Sequence, residues 1–322
     1  MTTKLPLETE KIICVGNIVV DAVGVNVEHI PEEGALSLFE RVELHLGGCA
    51  NNMAIALAKL GVPVGLCAKT GADGLGDYCA KIHAASGVDT RGLVRSANDS
   101  TSFSFIMLPR SGNRRILHTL GANASFGPAD VDVRIFQGAP WISFNGIGII
   151  PELDKNLAVL LKAAHAAGAK TAADTAINER FSRADWEHLL APCYEHLDVF
   201  FPSEAEASAI TGIHDPRKIC ANFRARGVGI AGVKLGQRGC AMMSDEGYVE
   251  IPAYPVNCID TLGAGDAFMA GLVAGLLRGM KHSQAARLGC AVSAFCVQAV
   301  GATTGIKPLD EVLRFQAEQE KN

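Results

Sequence analysis

Several common motifs are missing from this sequence, and each absence excludes a class of protein. The 322 residues contain no Gly-x-x-x-x-Gly-Lys-[Ser/Thr] segment, which excludes a P-loop kinase, and no His-Glu-x-x-His or Gly-x-Ser-x-Gly segment. None of the ten cysteines is paired as Cys-x-x-Cys. In a chain of this length, scattered cysteines are expected to be reduced thiols of a cytoplasmic protein.

The sequence also lacks a basic excess and long hydrophobic runs. The formal net charge of −5 disfavours nucleic acid or an anionic membrane as the main partner. The uncharged apolar run at 267–277 is too short to span a bilayer. Residues 1–10 have no signal-peptide core, so we expect neither export nor membrane anchoring.

From about residue 140 onward, short apolar segments alternate with helical ones. The predicted strands are 141–145, 170–174, 198–201 and 229–235, and the predicted helices are 152–167, 184–190, 204–211 and 216–226. This order predicts a mostly parallel sheet with helices on both faces, whose ligands bind at the carboxyl ends of the strands.

Two β-rich segments lie outside this alternation. Residues 23–45 alternate apolar and polar side chains around a turn at 31–34, and 102–119 has the pattern of a hairpin turning at 109–113. We expect the two segments to form a small sheet of their own.

The most informative segment is Asp-Thr-Leu-Gly-Ala-Gly-Asp at 260–266. A β-like run at 248–254 precedes it, and an apolar helix follows, with Phe268 and Leu272 on one face. A glycine turn at a helix start suits a bound anion, because the first N–H groups lack intrahelical partners. Asp266 could cap this helix or accept a proton, and the residues alone leave both roles open.

A second segment, Gly-Gly-Cys-Ala-Asn at 47–51, opens the predicted helix 53–60. Paired glycines permit close approach by a polyhydroxylated ligand, and an asparagine side chain both donates and accepts hydrogen bonds. By itself the segment is more typical of a well-capped helix.

Together, the two segments resemble the signatures of the PfkB, or ribokinase-like, carbohydrate kinases. They occur in the expected order about 215 residues apart, and the resemblance extends over roughly 11–310. It implies a ribokinase-like three-layer α/β sandwich with a mostly parallel central sheet. It further implies one kinase domain over 1–322, with a β-sheet lid formed by about 22–46 and 100–120.

The resemblance also assigns site residues. It implies Asp266 as catalytic base beside an anion hole, with sugar, nucleotide and metal sites around them. The implied anion hole comprises Gly263, Ala264 and Gly265, and the implied sugar-binding residues are Asp21, Gly47, Gly48 and Asn51. The implied nucleotide-binding residues are Lys234, Gly236, Gly239 and Thr261. The implied metal ligands are Glu206 for Mg²⁺ and Asp260 for K⁺.

This sequence departs from the family pattern at three places. Cys49-Ala50 replaces part of the ribokinase Gly-Lys-Gly-Ala-Asn segment, which puts ribose itself in doubt. Ser203 stands where relatives carry Asn, and the asparagine expected two residues after Asp174 is displaced to Asn178. The helix predicted at 283–300 would flank the adenine, with Val292, Ser293 and Cys296 as candidate contacts.

We therefore expect an ATP-dependent sugar kinase that transfers the γ-phosphoryl group to a primary hydroxyl, acting as a homodimer joined through the lid. A nucleoside kinase of the same fold is an alternative, in which Phe103 and Phe105 would stack on a base. A catalytically silent sugar- or nucleotide-binding relative is another. A nicotinamide dehydrogenase is disfavoured, since the Gly-x-Gly-x-x-Gly segment at 227–232 follows a predicted helix and enters a strand.

The sequence does not name the sugar. Specificity is expected to lie in the lid side chains. Arg114, Arg115 and His118 either reach a carboxylate or phosphate on the substrate or are exposed strand residues.

Overall fold

The computed structural model describes residues 11–111, 114–176 and 180–319. Residues 1–10, residues 112–113 of the predicted hairpin turn and Asn178 lie outside the described residues. The strands are β1 (Ile12–Gly16), β2 (Val19–Val25), β3 (Arg41–Gly47), β4 (Val64–Gly71), β5 (Asp89–Ser96), β6 (Phe103–Leu108), β7 (Arg115–Thr119), β8 (Trp141–Ile147), β9 (Lys170–Thr175), β10 (Val199–Phe200), β11 (Ile230–Lys234), β12 (Cys240–Ser244) and β13 (Gly247–Ile251).

The helices alternate with these strands through most of the chain. They are α1 (Cys49–Lys59), α2 (Gly74–Ser86), α3 (Pro151–Asp154), α4 (Leu157–Ala166), α5 (Arg183–Leu190), α6 (Glu204–Thr211), α7 (Pro216–Ala225), α8 (Ala264–Leu277), α9 (His282–Cys296) and α10 (Leu309–Gln319). Short 3₁₀ helices occur at Gly121–Ala124, Pro128–Asp130, Val133–Phe136, Tyr194–His196 and Gly236–Arg238.

Nine strands form the main sheet in the order β13-β12-β11-β10-β9-β8-β1-β4-β5. Only the β11–β12 and β12–β13 pairs are antiparallel, so β12 alone runs against the other eight strands. The mostly parallel sheet predicted from the sequence is thus confirmed. The carboxyl ends of the eight like-directed strands meet at one edge.

Alternating side chains of the strands enter two separate cores. Ile12 and Cys14 pack with α1, α8 and α9 on one face, whereas Ile13 and Val15 pack with α4, α5 and α7 on the other. Because both faces are covered, the strands are apolar throughout, as in other doubly covered parallel sheets. The molecule therefore has the three layers expected of a helix–sheet–helix sandwich.

Helix α8 is buried on nearly all sides, and glycines let α9 approach it closely. A Cβ at Gly271 would lie 2.8 Å from the Cα of Gly289, and one at Gly275 would lie 2.8 Å from the Cα of Ala285. Tight packing of α8 against α9 fixes the direction of the helix whose first turn carries Asp266.

Four strands form the small sheet, in the order β3-β2-β6-β7. β2 pairs parallel with β6, and the other two pairs are antiparallel. The predicted turn at 31–34 is part of a long connection over 26–40 rather than a tight hairpin. β2 begins at Val19, so Asp21 lies inside this sheet rather than in a turn after β1.

Three further details differ from the predictions. The strand predicted at 248–254 ends at Ile251, because Pro252 cannot donate to the ladder, and an eleven-residue connection leads to Gly263. The helix predicted at 152–167 is divided into α3 and α4. The strands β5 and β12 were missed, since neither has a long apolar run.

The glycines of the Gly-x-Gly-x-x-Gly segment at 227–232 allow close packing between α7 and β11. The segment follows α7 and leads into β11, as expected. A Cβ at Gly232 would overlap the ring of Phe201, and Gly227 has a positive φ of 108°. Over the described residues, no helix is long and apolar enough to cross a membrane.

Candidate active site

The first turn of α8 is open to a ligand. Its N-cap is Gly263, with φ of 75°, which provides no side-chain hydrogen bond to the first turn. By contrast, Asp73, Ser203 and Asp215 cap α2, α6 and α7 with their side chains. The alternative role of Asp266 as the cap of this helix is therefore wrong. The N–H of Ala264 donates to the carbonyl oxygen of Thr261 at 3.2 Å. The other N–H groups of the first turn and the helix dipole make this turn suited to an anion.

Asp266 is the third residue of α8, and its carboxylate is held from outside the helix. Its side chain is buried, and Nδ2 of Asn52 donates a hydrogen bond of 2.8 Å to Oδ2. Burial raises the pKa of Asp266 to about 6, although Asn52, Lys234 and the Cys49 thiol lower it. The group is therefore an anion at neutral pH, yet basic enough to accept a proton.

Asn52 is a residue that the sequence reasoning missed. Its Oδ1 accepts a hydrogen bond of 3.2 Å from Nδ2 of Asn51, so Asn51, Asn52 and Asp266 form a chain. Asn51 is fully buried, and within the described residues its Oδ1 has no hydrogen-bond partner. The only signal in the sequence was the second of two consecutive asparagines.

Gly47 and Gly48 let the chain pass closely beside Asp21 and Asn17. A Cβ at Gly47 would overlap Oδ2 of Asp21, and one at Gly48, whose φ is 96°, would lie 2.6 Å from the carbonyl oxygen of Asn17. The predicted sugar residues Asp21, Gly47, Gly48 and Asn51 thus lie together where β2, β3 and α1 meet.

Lys234 lies at the end of β11, against the first turn of α8. Its ammonium group contacts the carboxylate of Asp174, and a Cβ at Gly265 would lie 3.0 Å from Nζ. Although burial opposes the charge, Asp174 and Glu206 raise the pKa of Lys234. Lys234 therefore remains a cation beside the first turn of α8, and Asp174, whose role the sequence left open, is its partner.

Glu206 is buried at the start of α6. Its Oε2 accepts hydrogen bonds from the backbone N–H of Ser203 at 2.8 Å and from Thr175 Oγ1 at 3.0 Å. Ser203, which replaces the family's asparagine, completes a capping box with this glutamate. No cluster of three or more acidic, cysteine or histidine side chains suited to a metal occurs in 11–111, 114–176 and 180–319.

A cleft of about 610 Å³ runs along the outer side of the α8 turn. Six predicted site residues line it: Lys234, Gly236, Gly239, Thr261, Ala264 and Gly265. Of the three candidate adenine contacts, Ser293 lines this cleft. Val292 is fully buried in the core and Cys296 donates to the carbonyl oxygens of Leu262 and Ala302, so neither lines it.

Asp260 ties the connection before α8 to the segment after α9. Its Oδ1 accepts from the backbone N–H of Leu262 and its Oδ2 from that of Gly301, both at 3.0 Å. Gly263 lies behind the turn, where a Cβ would lie 2.5 Å from Ala302. These contacts hold the connection before α8 and its N-cap against the segment after α9.

The sequence matches the family model described as pfkB family carbohydrate kinase over residues 9–308. It is 28% identical to the ribokinase of Staphylococcus aureus, covering 94% of this chain and 99% of that protein. It is 26% identical to the 2-dehydro-3-deoxygluconokinase of Bacillus subtilis, covering 89% and 91%.

Among solved structures, the fold is similar to that of the Arabidopsis thaliana ribokinase complexed with ribose and ATP. The TM-score is 0.84 at 24% identity, over 95% of this chain and 98% of the other. The chain has the ribokinase fold and belongs to the pfkB family of carbohydrate kinases, which are phosphotransferases with an alcohol acceptor.

Proposed function

We propose that this protein phosphorylates a primary hydroxyl of a sugar at the expense of ATP, with Asp266 as the base. The observation that carries this proposal is the position of Asp266. Its carboxylate lies at a helix start that has no side-chain cap. The cleft lies on one side of this turn, and the predicted sugar residues, which include Asp21 and Asn51, lie on the other. A group there can take a proton from a hydroxyl beside a bound phosphate.

The described residues fit ATP and Mg²⁺. The cleft of about 610 Å³ reaches Gly265 and Lys234, whose N–H groups and ammonium suit phosphate oxygens. Glu206 supplies a carboxylate near Lys234 and Asp174, and Mg²⁺ needs few protein ligands because it retains several waters. When bound, ATP provides the phosphoryl group and Mg²⁺ offsets its negative charge.

The chain's own residues would perform three tasks in this reaction. Asp21, Gly48 and Asn51 orient the sugar, and Asp266 removes the proton of the attacking hydroxyl. The first turn of α8, composed of Gly263, Ala264 and Gly265, stabilises the developing negative charge together with Lys234. Asp260 would contribute to a K⁺ site behind this turn.

The small sheet would act as a lid that excludes water from this reaction within a single kinase domain. Asp21 belongs to β2 of this sheet, so closure and sugar binding are linked. All ten cysteines are free thiols, which supports the expected cytoplasmic compartment.

The nucleoside alternative loses its main support. Phe103 and Phe105 flank Ser104, whose strand partner is Asp21, so both rings point away from Asp21. Phe105 contacts Phe39 and lines a cavity on the outer side of the small sheet. Neither ring is positioned to stack on a base beside Asp21.

Replacing Asp266 by Asn should reduce kcat by about 10²–10⁴-fold, because the amide cannot accept the proton. ATP binding, measured by calorimetry, should remain, since the turn and the cleft are unchanged. Asp245→Asn, at an exposed aspartate, serves as the control. Near-normal turnover by Asp266→Asn would contradict the proposed base.

The pH dependence should follow the titration of Asp266. The raised pKa means that the base is lost by protonation as the pH falls through about 6, so kcat/KM should decline below that pH. Asn52→Ala removes a donor that lowers this pKa, and the midpoint should move to higher pH. The profile of Asn98→Ala should match that of the wild type. An unchanged midpoint in Asn52→Ala would argue against Asp266 as the titrating group.

Glu206→Gln should raise the Mg²⁺ concentration required for half-maximal activity by about tenfold or more, as expected for loss of a charged hydrogen-bond acceptor. Glu204→Gln, two residues earlier in α6, is a matched control, because Glu204 pairs with Arg238 at the surface. Equal Mg²⁺ dependence in the two variants would exclude Glu206 from the metal site.

We also propose that a second copy of the chain covers the small sheet. Leu117 of β7 is 63% exposed, and Leu36 and Leu38 of the connection over 26–40 are 83% and 87% exposed; Leu38 and Leu117 line the same outer cavity. Exposed apolar side chains grouped in this way are typical of an interaction surface. Ultracentrifugation should give about twice the chain mass of 33.9 kDa, and Leu38→Glu with Leu117→Glu should give the monomer. Val159→Glu, at an exposed valine of α4, should leave the dimer intact. A monomeric wild type would overturn this proposal.

A further inference from the structure

Four polar side chains form one row across the small sheet. Strand pairing places His45 beside Asp21, Asp21 beside Ser104, and Ser104 beside His118. Directly paired residues project from the same face of a sheet. The row therefore lies on the face that carries Asp21, the proposed sugar-binding carboxylate.

Contacts within this row are specific. Oγ of Ser104 lies 3.0 Å from Nδ1 of His118, and Asp21 is the strand partner of Ser104 on the neighbouring β2. At the other end, the ring of His45 faces the segment after α9, where a Cβ at Gly301 would lie 3.6 Å from its Nδ1. Asp21 is thus flanked by two imidazoles.

Arg114 extends this arrangement from the residue just before β7. By strand alternation it shares a face with Ile116 and His118, and its charge acts on Asp21. Its guanidinium lies 3.7 Å from Oδ1 of Asp260, which exceeds hydrogen-bond distance, and in the described part of the chain it makes no hydrogen bond. Its side chain is 42% exposed. Several of its five N–H donors are therefore free for a ligand.

The adjacent Arg115 projects from the other face of the small sheet. Alternation places it on the opposite face with Leu117, which lines the outer cavity. Arg115 is exposed, and its partner in the small sheet is Met107 of β6. The chain therefore contains two neighbouring arginines, one at the site and one away from it.

A neutral sugar does not account for this set of groups. Hydroxyls can be matched by Asp21 and Asn51, which provide acceptors and donors. One guanidinium with free donors and two imidazoles are more polar groups than the hydroxyls of a neutral sugar require. A planar guanidinium matches the two oxygens of a carboxylate or phosphate. The arrangement is that of an anion-binding site beside Asp21, the carboxylate proposed to bind the sugar.

We infer that the sugar substrate carries a negatively charged group, a carboxylate or a phosphate, which binds Arg114 together with His118 and His45. This inference rests on the proposed sugar kinase activity and names its substrate class. The sequence suggested two fates for Arg114, Arg115 and His118; the structure assigns Arg114 and His118 to the site and Arg115 to the outer face.

The test measures ADP release with Mg²⁺ and ATP for three groups of sugars. Ribose and fructose represent the neutral sugars, 2-keto-3-deoxygluconate the sugar acids, and tagatose 6-phosphate the sugar phosphates. We expect kcat/KM for one anionic group to exceed that of the neutral sugars by at least about tenfold, as for a charged hydrogen-bonded pair. The acid and phosphate arms distinguish the two sources of charge.

The variants Arg114→Gln and Arg115→Gln then locate the effect. Arg114→Gln should raise KM for the anionic sugar by about 10- to 100-fold while leaving neutral sugars and the KM for ATP unchanged. Arg115→Gln should resemble the wild type on every substrate.

Three results would overturn the inference. Preference for a neutral sugar would remove it while leaving the kinase proposal intact. An equal loss of kcat on all sugars in Arg114→Gln would place the guanidinium on the transferred phosphoryl group instead. Absence of turnover with every sugar, although ATP is bound, would contradict the sugar kinase proposal and the inference together.

Discussion

The buried carboxylate of Asp266 is the constraint on which the rest of the site depends. Removing a carboxylate from water raises its pKa, and here a single amide donor, Nδ2 of Asn52, is hydrogen-bonded to Oδ2. At the same helix start, the N-cap residue Gly263 has no side chain to hydrogen-bond with the first turn. The N–H groups of the first turn and the buried carboxylate therefore lie together at the start of α8, and the proposed phosphoryl transfer depends on this arrangement.

Packing of the surrounding elements holds the first turn of α8 and Asp266 in place. Glycines 271 and 275 let α9 press against α8, and Asp260 fixes the preceding connection to the backbone at Gly301. On the cleft side, the Lys234–Asp174 pair puts a cation next to the turn without leaving an isolated buried charge. Each contact comes from a different element, so the site requires the complete sandwich.

The small sheet has two faces with separate properties. Its inner face carries the row of Asp21, Ser104 and His118, whereas its outer face exposes Leu117, which lines a cavity together with Leu38 of the connection over 26–40. Because side chains alternate along a strand, neighbouring residues such as Arg114 and Arg115 reach different surroundings. Substrate recognition and association of copies can therefore be encoded in the same short strands without interfering with each other.

The sequence alone determined the family, the mostly parallel sheet and the segments at 47–51 and 260–266, because glycine spacing and apolar periodicity are local properties of the chain. It did not determine that Asp266 is a buried group rather than a helix cap, or that Asn52 is its partner 214 residues away. Only the tertiary structure decided these two points, and only it showed which face of the small sheet carries Arg114 and which carries Arg115. Contacts between distant elements, and the face of a strand that becomes buried, depend on how the layers pack.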